Sequence, residues 1–499
     1  MELQFNKTAL PYLRTVTQQV QTQEQTQEVR LTDGMPDIGH VVASWGQLLV
    51  RGKEWRGSGM SVNGGIMTWT LYAPEDGSQP QCVEAWIPFQ MKWEFPDSEH
   101  DGFICVQPLL LGVDARSTSA RKLMVRAGIS ILGEAAVDSE VELYTPADIP
   151  EDVHLLQKAY PLLLPKEAGE KAFTLDDVLR FPAAAPQPDR LIRYGVQPTM
   201  VEQKVMADKV VFRGAANLHV VYVGTDGQLH SWDFEMPFSQ FAQLENDYGP
   251  EATACVNLAV TSLELDKAEE DQFAWKTGLT AQYMIYEPVT VETVEDAYSP
   301  SRTVVPRTGM LDLPAVLDIR SETWQPEKTM DFNGTRVVDT AFYPEHPRLY
   351  REEDQVTAEL GGAFQLLGYD GSGELLGATK RWEGNMSIPA DMSAKVQAFL
   401  QPNATMESMV TGEGTALSMQ LPMTATFVAT QGIPMVTGLE MGEAVVPDTD
   451  RPSLILRRAG ENSLWELAKQ SGSTVAEIQS ANGLQQEPDP GQMLLIPVL

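Results

Sequence analysis

One pattern occurs three times, and it limits the fold more than any other feature of the chain. The strings VNGGIMTWTLYAPEDG, FRGAANLHVVYVGTDG and ELGGAFQLLGYDGSGE share a layout. In each, a glycine and a tyrosine stand eight residues apart: Gly64 and Tyr72, Gly214 and Tyr222, Gly361 and Tyr369. An Asp-Gly pair follows as Asp76-Gly77, Asp226-Gly227 and Asp370-Gly371, the third gap being three residues shorter. Self-similarity at so long a period marks an array of like units. Residues 66–72 alternate Ile66, Thr68, Thr70 and Tyr72 with Met67, Trp69 and Leu71, the two-residue period of a strand. Asp-Gly accepts the positive φ of a tight turn, so each copy reads as a β-hairpin. The leading glycine suits a bulge or a close backbone approach. Pro88-Phe89 and Pro237-Phe238 follow the first two hairpins, and Pro389-Ala390 stands in the third copy.

Each copy also holds a second β-rich stretch, at 123–132, 275–285 and 417–428. Two groups of short strands per unit of roughly 130 residues suggest a two-sheet sandwich, with a small barrel as the alternative. The expected class is mostly β: tandem β-sandwich-like repeats followed by a small C-terminal βααβ module. The expected frame is a leader at 1–34, repeats at 35–165, 166–303 and 304–445, and a terminal module at 446–499. Segments 181–189, 298–309 and 445–452 read as linkers from their Pro content. A short helix is expected around 152–160. The Thr/Gln-rich leader around 15–27 pairs as an edge strand or stays loose.

The 499 residues carry 36 Lys and Arg against 69 Asp and Glu, a formal charge of −33. Such a surface repels phosphate backbones, which argues against nucleic acid and against an anionic membrane. The three cysteines, Cys82, Cys105 and Cys255, form no CxxC pair and are odd in number. Buried thiols in a reducing compartment fit them better than a disulfide framework or a zinc site. No signal-peptide core opens the chain, and no run of about 18 apolar residues occurs, so membrane insertion is not expected. The six histidines offer no HExxH and no i, i+4 pair. His219 and His230 flank the second hairpin turn, placed to meet across the ladder or to face opposite sides. His100 and Cys105 read as strand neighbours and not as a nucleophile pair. No phosphate loop, nucleophile elbow, cofactor motif or metal site stands out, and an enzyme is not expected.

The last segment has its own grammar. Leu454, Ile455 and Leu456 make a short strand. Ser463 caps a helix with Leu464, Leu467 and Ala468 on one face, and Gly472 ends it. Thr474 opens a second helix, with Glu477 placed for a capping box. Gly483 stops that helix, and Gly491 turns the chain into a strand from Met493 to Ile496. This order resembles the LysM domain over nearly all of 454–497. Gly460, Leu464-Trp465, Ala468, Asn482, Gly491-Gln492 and Ile496-Pro497 carry the resemblance. It implies binding of peptidoglycan or other N-acetylglucosamine oligomers through two loops: Gly460, Glu461, Asn462, Ser463 and Leu464, and Asn482, Gly483, Leu484 and Gln485. The first loop is one residue longer than the family's usual Gly-Asp-Thr. Use of the module for protein docking is the other reading.

The module order resembles the SPOCS-domain proteins of spore-forming Firmicutes, and the SipL-type coat morphogenetic proteins that end in LysM. Met35-Pro36-Asp37-Ile38, the three hairpins, the two Pro-Phe pairs and Asp296-Ala297-Tyr298-Ser299-Pro300 carry this likeness. It implies a non-enzymatic scaffold of the spore coat, at the forespore surface in the mother-cell cytoplasm, with a SpoIVA-like coat ATPase as partner. A glycan-binding wall protein, a wall hydrolase with a LysM arm and a phage-tail-like assembly protein are the rival readings.

Overall fold

The computed structural model describes residues 2–3, 5–95, 102–183, 185–269, 272–332, 334–352, 355–389, 395–400, 405–411, 414–445, 452–460 and 462–498. Three stretches of strand precede two short helices near the C-terminus. The first holds β1 (Glu2–Leu3), β2 (Phe5–Arg30), β3 (Ile38–Arg56), β4 (Gly59–Pro74), β5 (Gln81–Glu94), β6 (Phe103–Ser119) and β7 (Lys122–Pro146). The second holds β8 (His154–Arg180), β9 (Pro188–Gly224), β10 (Leu229–Tyr248), β11 (Thr253–Glu269) and β12 (Gln272–Tyr298). The third holds β13 (Arg302–Trp324), β14 (Glu327–Met330), β15 (Arg336–Pro344), β16 (Arg348–Glu352), β17 (Gln355–Tyr369), β18 (Leu375–Pro389), β19 (Lys395–Leu400), β20 (Thr405–Thr411) and β21 (Gly414–Ala444).

The pairing is the same each time. A long opening strand runs antiparallel to the closing strand: β2 with β7, β8 with β12, β13 with β21. The closing strand pairs on its other edge with the strand before it: β6, β11, or β19 and β20. The hairpin strands make a second sheet, β3-β4-β5 in the first unit and β15 and β16 with β17 and β18 in the third. In the second unit β9 doubles back at Ala207, where φ is 52°, and pairs with β10. The two sheets of each unit face each other, β3 on β6, β9 on β11 and β15 on β20. Apolar residues at every second position fill the space between: Met60, Trp93 and Ile129; Phe212, Trp275 and Leu279; Phe364, Leu417 and Met423. These are β-sandwiches.

The units join into a closed ring. On β5, the Cys82 thiol donates to the carbonyl of Ile192 on β9 at 3.0 Å. On β10, the Ser231 hydroxyl donates to the carbonyl of Val338 on β15 at 2.8 Å. On β18, Gly377 lies so close to β3 that a Cβ there would sit 1.8 Å from the Val42 carbonyl oxygen. Three times a hairpin sheet's last strand meets the next unit's first, and the third contact returns to the first unit. One hydrophobic cluster collects Trp45 and Trp69, Ile192 and Val221, and Val338 and Leu367 from all three. A second gathers Leu10 and Tyr12, Leu162 and Leu164, and Leu313 and Ile433 from the three long ribbons. Leu3 on β1 pairs with Leu439 on β21, so the N-terminal strand also ties the first unit to the third.

Several local expectations change. The segment at 152–160 is not helical: β8 begins at His154 and pairs with β12 from Tyr298 downward. Residues 302–309, read as linker, are the start of β13, whereas 181–187 do connect two strands. The Thr/Gln-rich leader is strand, with Arg30 opposite Lys122 and Phe5 opposite Pro146. The tether at 445–452 falls mostly outside the described residues.

The hairpin turns form as the Asp-Gly pairs suggest, with φ of 72° at Gly77 and 77° at Gly227. In the third copy the positive φ belongs to Gly373, not Gly371, because the turn there closes from Gly373 N–H to the Asp370 carbonyl. Gly64 and Gly214 are places of close approach. A Cβ would lie 2.0 Å from the Leu49 carbonyl oxygen at one and 1.9 Å from that of Thr199 at the other. The Phe89 and Phe238 rings cover these glycines from the paired strand, which is the role of the two Pro-Phe pairs. In the third copy Glu383 faces Gly361, and Pro389 pairs with Gln355 far from it. Pro389-Ala390 is therefore not the counterpart of those pairs.

Candidate functional site

The C-terminal module is β22 (Leu454–Arg458), α1 (Leu464–Ser471), α2 (Val475–Asn482) and β23 (Met493–Pro497). Leu464, Leu467, Ala468, Ile478, Leu494 and Ile496 form its core. Ser463 caps α1 in a full capping box: its hydroxyl accepts from Glu466 N–H, and the Glu466 carboxylate accepts from Ser463 N–H. The box belongs to α1; at α2 only the Thr474 half forms, accepting from Glu477 N–H at 3.1 Å. Gly472 and Gly483 end the helices in the left-handed region, at φ 62° and 63°.

The two loops flanking the helices approach each other. The Glu487 carboxylate accepts the Leu464 N–H at 2.9 Å, so one loop supplies an anion to the first turn of the helix behind the other. Gly460 and Gln485 stay exposed, while Asn462 and Leu484 are half-buried. Glu461 lies outside the described residues. The Asn482 side chain is engaged within the module. Its amide N–H groups donate to the Ile478 and Leu495 carbonyls, and its carbonyl accepts Leu495 N–H at 2.7 Å, which pins α2 to β23.

The module is seated on the second unit. Trp465 on α1 donates its indole N–H to Asp296 at 2.8 Å, and Lys469 on the same face pairs with that carboxylate at 2.7 Å. Tyr298 enters the module's own core, donates to the Ser473 carbonyl at 3.0 Å, and meets the Trp465 ring edge-on at 4.7 Å. Burial pushes the Tyr298 hydroxyl up to about 12, so it remains a donor.

A second candidate lies where the ring units meet. A cleft of about 730 Å³ is lined by β3, β9, β10 and β15, among others. In it Arg193 holds the fully buried Asp339 with two hydrogen bonds, at 3.0 and 2.8 Å, and stacks on Trp45 at 5.2 Å. His219 donates one ring nitrogen to Asp233 at 2.6 Å and the other to Asp339 at 2.8 Å. Burial opposes charge on His219, but the Asp339 carboxylate and the two hydrogen bonds outweigh it and raise the imidazole to about 9. Asp339 is likewise opposed by burial, and the Arg193 and His219 charges hold it far below the usual carboxylate range. An imidazolium with both nitrogens committed has no lone pair with which to take a proton from a substrate. The cluster is an interlock of the three units: Trp45 from the first, Arg193 and His219 from the second, Asp339 from the third.

Known families match two parts of the chain. Residues 188–268 match the SipL, SPOCS domain family, and residues 458–497 match the LysM domain family. This is a SPOCS-plus-LysM protein. No curated protein and no solved structure matches the chain. The SPOCS match covers β9, β10 and nearly all of β11, the hairpin sheet and the strand packed under it. The LysM match covers the two helices and β23 with the end of β22. No helix among the described residues is long and apolar enough to cross a membrane.

The SPOCS hairpin markers are structural. Tyr72 donates to the Pro36 carbonyl at 2.9 Å, inside the Met35-Pro36-Asp37-Ile38 string. Tyr222 is buried beside Phe181. Tyr369 accepts Leu229 N–H across the boundary between the second and third units. His219 and His230 do not meet: His219 faces Asp233, and His230 bonds Asp226 in its own turn. Burial pushes the three thiols up, to about 12 for Cys82 and Cys105 and about 11 for Cys255. His100 lies outside the described residues, and no three metal-binding side chains converge among the described ones. Sequence reasoning missed Arg193 and Asp339, whose pairing spans 146 positions. It noticed Asp296-Ala297-Tyr298 only as a string, and not as the seat of the LysM module.

Proposed function

We propose that this SPOCS-plus-LysM protein is a non-enzymatic adaptor in assembly of the spore envelope. It acts as one preassembled body that presents its LysM module in a fixed orientation. The supporting observation is the seat at Asp296 and Tyr298, which turns a tethered module into part of a rigid surface. A module held this way keeps its binding face presented without losing orientational freedom at each encounter. We further propose unit boundaries at 5–146, 154–298 and 302–444, following the strand pairing, in place of 35–165, 166–303 and 304–445. The partner in this reading is a coat-assembly ATPase of the SpoIVA type, met in the mother-cell cytoplasm at the forespore surface.

Glycan binding is the second reading, supported by the exposed Gly460 and Gln485 loops. The Glu487 carboxylate between them counts against a fully open groove. The test is retention of purified partner ATPase, and separately of purified peptidoglycan, by the full chain and by a chain ending at residue 451. Loss of ATPase retention on truncation supports the adaptor. Retention of peptidoglycan alone moves the function to the wall, and release of soluble muropeptides overturns the non-enzymatic reading.

A further inference from the structure

The first turn of α1 is already supplied with acceptors. The Ser463 hydroxyl takes Glu466 N–H and the Glu466 carboxylate takes Ser463 N–H, which completes the capping box. The Glu487 carboxylate then takes Leu464 N–H at 2.9 Å, from 23 positions further along the chain. The box starts the helix without help from Glu487. What the third bond adds is a bridge between the loop that ends at Leu464 and the loop that leaves α2.

The chain around Glu487 is fixed on both sides. On one side Leu484 N–H donates to the Gln479 carbonyl at 3.0 Å, at the end of α2. On the other, Gln492 N–H donates to the Asp489 carbonyl at 3.1 Å, and Gly491 N–H donates to the Ala459 carbonyl at 2.8 Å. Ala459 immediately precedes the first loop, so the second loop is anchored beside it. Pro488 and Pro490 restrict the backbone between these anchors.

The bridge also takes what a sugar would need. The acetamido group of N-acetylglucosamine presents a carbonyl that accepts an N–H. The donors that the two loops offer are the amides at the start of α1 and the Asn482 side chain. Ser463 N–H and Leu464 N–H are held by carboxylates, and the Asn482 amide donates to the Ile478 and Leu495 carbonyls. A carboxylate at the positive end of a helix is a stronger acceptor than a neutral acetamide. Two loops joined at hydrogen-bond distance leave no room for a sugar ring between the joined atoms.

We infer that Glu487 is a latch across the module's glycan groove, an internal acceptor standing where the acetamido carbonyl of an N-acetylglucosamine oligomer would bind. The inference rests on the glycan-binding reading for the place of the groove, and it deepens that reading by naming the residue that sets the affinity. An oligomer enters by displacing Glu487 from Leu464. The seat at Asp296 holds Trp465 and Lys469 and takes no part in the latch.

The experiment titrates the full-length chain calorimetrically with the N-acetylglucosamine hexamer and with the glucose hexamer, which lacks acetamido groups. Glu487→Ala binds the first about two- to fivefold more tightly than wild type, the range of a charge contact at an exposed helix start. Glu487→Gln keeps a neutral acceptor and falls between the two. Neither protein binds the glucose hexamer. Exchange of the Leu464 amide is the second readout: it is faster in Glu487→Ala than in wild type, and the N-acetylglucosamine hexamer slows it again. A cap with no part in the groove gives the rise without that recovery, and such a result overturns the proposal. Equal affinity of wild type and Glu487→Ala for the hexamer overturns the latch and leaves the glycan reading standing. Binding by neither overturns both.

Discussion

At the scale of single residues, two histidines in opposite environments set the stability of the ring against pH. Each ties one unit to another. His219 lies between Asp233 of its own unit and Asp339 of the third, and its folded value of about 9 is above the ordinary 6.5. Its contribution is complete below pH 6.5 and is lost as pH rises through 9. His346 is the reverse. Burial lowers it to about 4, and its Nε2 accepts Leu132 N–H of the first unit at 3.2 Å. Its contribution is complete above pH 6.5 and is lost as pH falls toward 4, when a proton must enter a buried ring or break the bond. In urea unfolding across pH 4 to 9 these two groups by themselves contribute a bell centred near 6.5, each flank falling by no more than about 3 kcal/mol, on top of the carboxylates' own titration. His346→Gln keeps an acceptor for Leu132 and flattens the acid flank alone. His219→Gln flattens the alkaline flank alone. If His346→Gln leaves the acid flank as steep as wild type, the assignment is wrong.

At the scale of elements, the three hairpins look alike in sequence but tolerate change differently. Gly214→Ala drives a methyl group into the Thr199 carbonyl, 1.9 Å away, with the Phe238 ring closing the other side. Backbone cannot move aside there without breaking the β9 fold-back. We expect a loss of at least about 2 kcal/mol in urea unfolding, at the upper end of ordinary overpacking. Gly361→Ala meets only the Glu345 carboxylate at 3.1 Å, the end of a flexible side chain, and should stay within about 0.5 kcal/mol of wild type. Equal effects of the two would mean that the close approach is not what selects glycine.

This contrast shows what the sequence could and could not reveal. Asp-Gly turns and two-residue alternation are local, so β4 and β5, or β9 and β10, were readable from a dozen residues. The opening strands were not. β8 finds its partner β12 more than a hundred positions later, and the string around Leu155 and Leu156 fits a helix as well as a strand until that pairing decides it. The βααβ module was readable almost to the residue, because caps and left-handed glycines are local too. Asn482 was readable as a position, but its bonds within the module were not. Only the three bonds to Ile478 and Leu495 show that it holds the module together.

At the scale of the whole molecule, the ring and the LysM module are joined with very different strength. The ring is closed at three sheet-to-sheet boundaries, reinforced by side-chain bonds such as Arg193 to Asp339 and Leu132 to His346 and by two shared hydrophobic clusters. Among the described residues, the module is held by Tyr298 and Asp296, with a covalent tether besides. That contact is far smaller than a lasting interface between free proteins, and it persists because the tether keeps the module at an effective concentration in the millimolar range. Removing its anchors should therefore release the module without unfolding either part. In Asp296→Ala/Tyr298→Ala, amide exchange at Ser473 and Thr474 should rise at least tenfold, and X-ray scattering should show a larger maximum dimension. The main thermal transition should move little, since the clusters around Trp45 and Leu164 are untouched. Asp296→Asn keeps an acceptor for the Trp465 indole and loses only the Lys469 ion pair, so it should release the module partially and only at low salt should it resemble wild type least. A seat that survives the double substitution would mean that the tether, and not Asp296 and Tyr298, sets the module's orientation. The rigid presentation on which the adaptor depends would then need another cause.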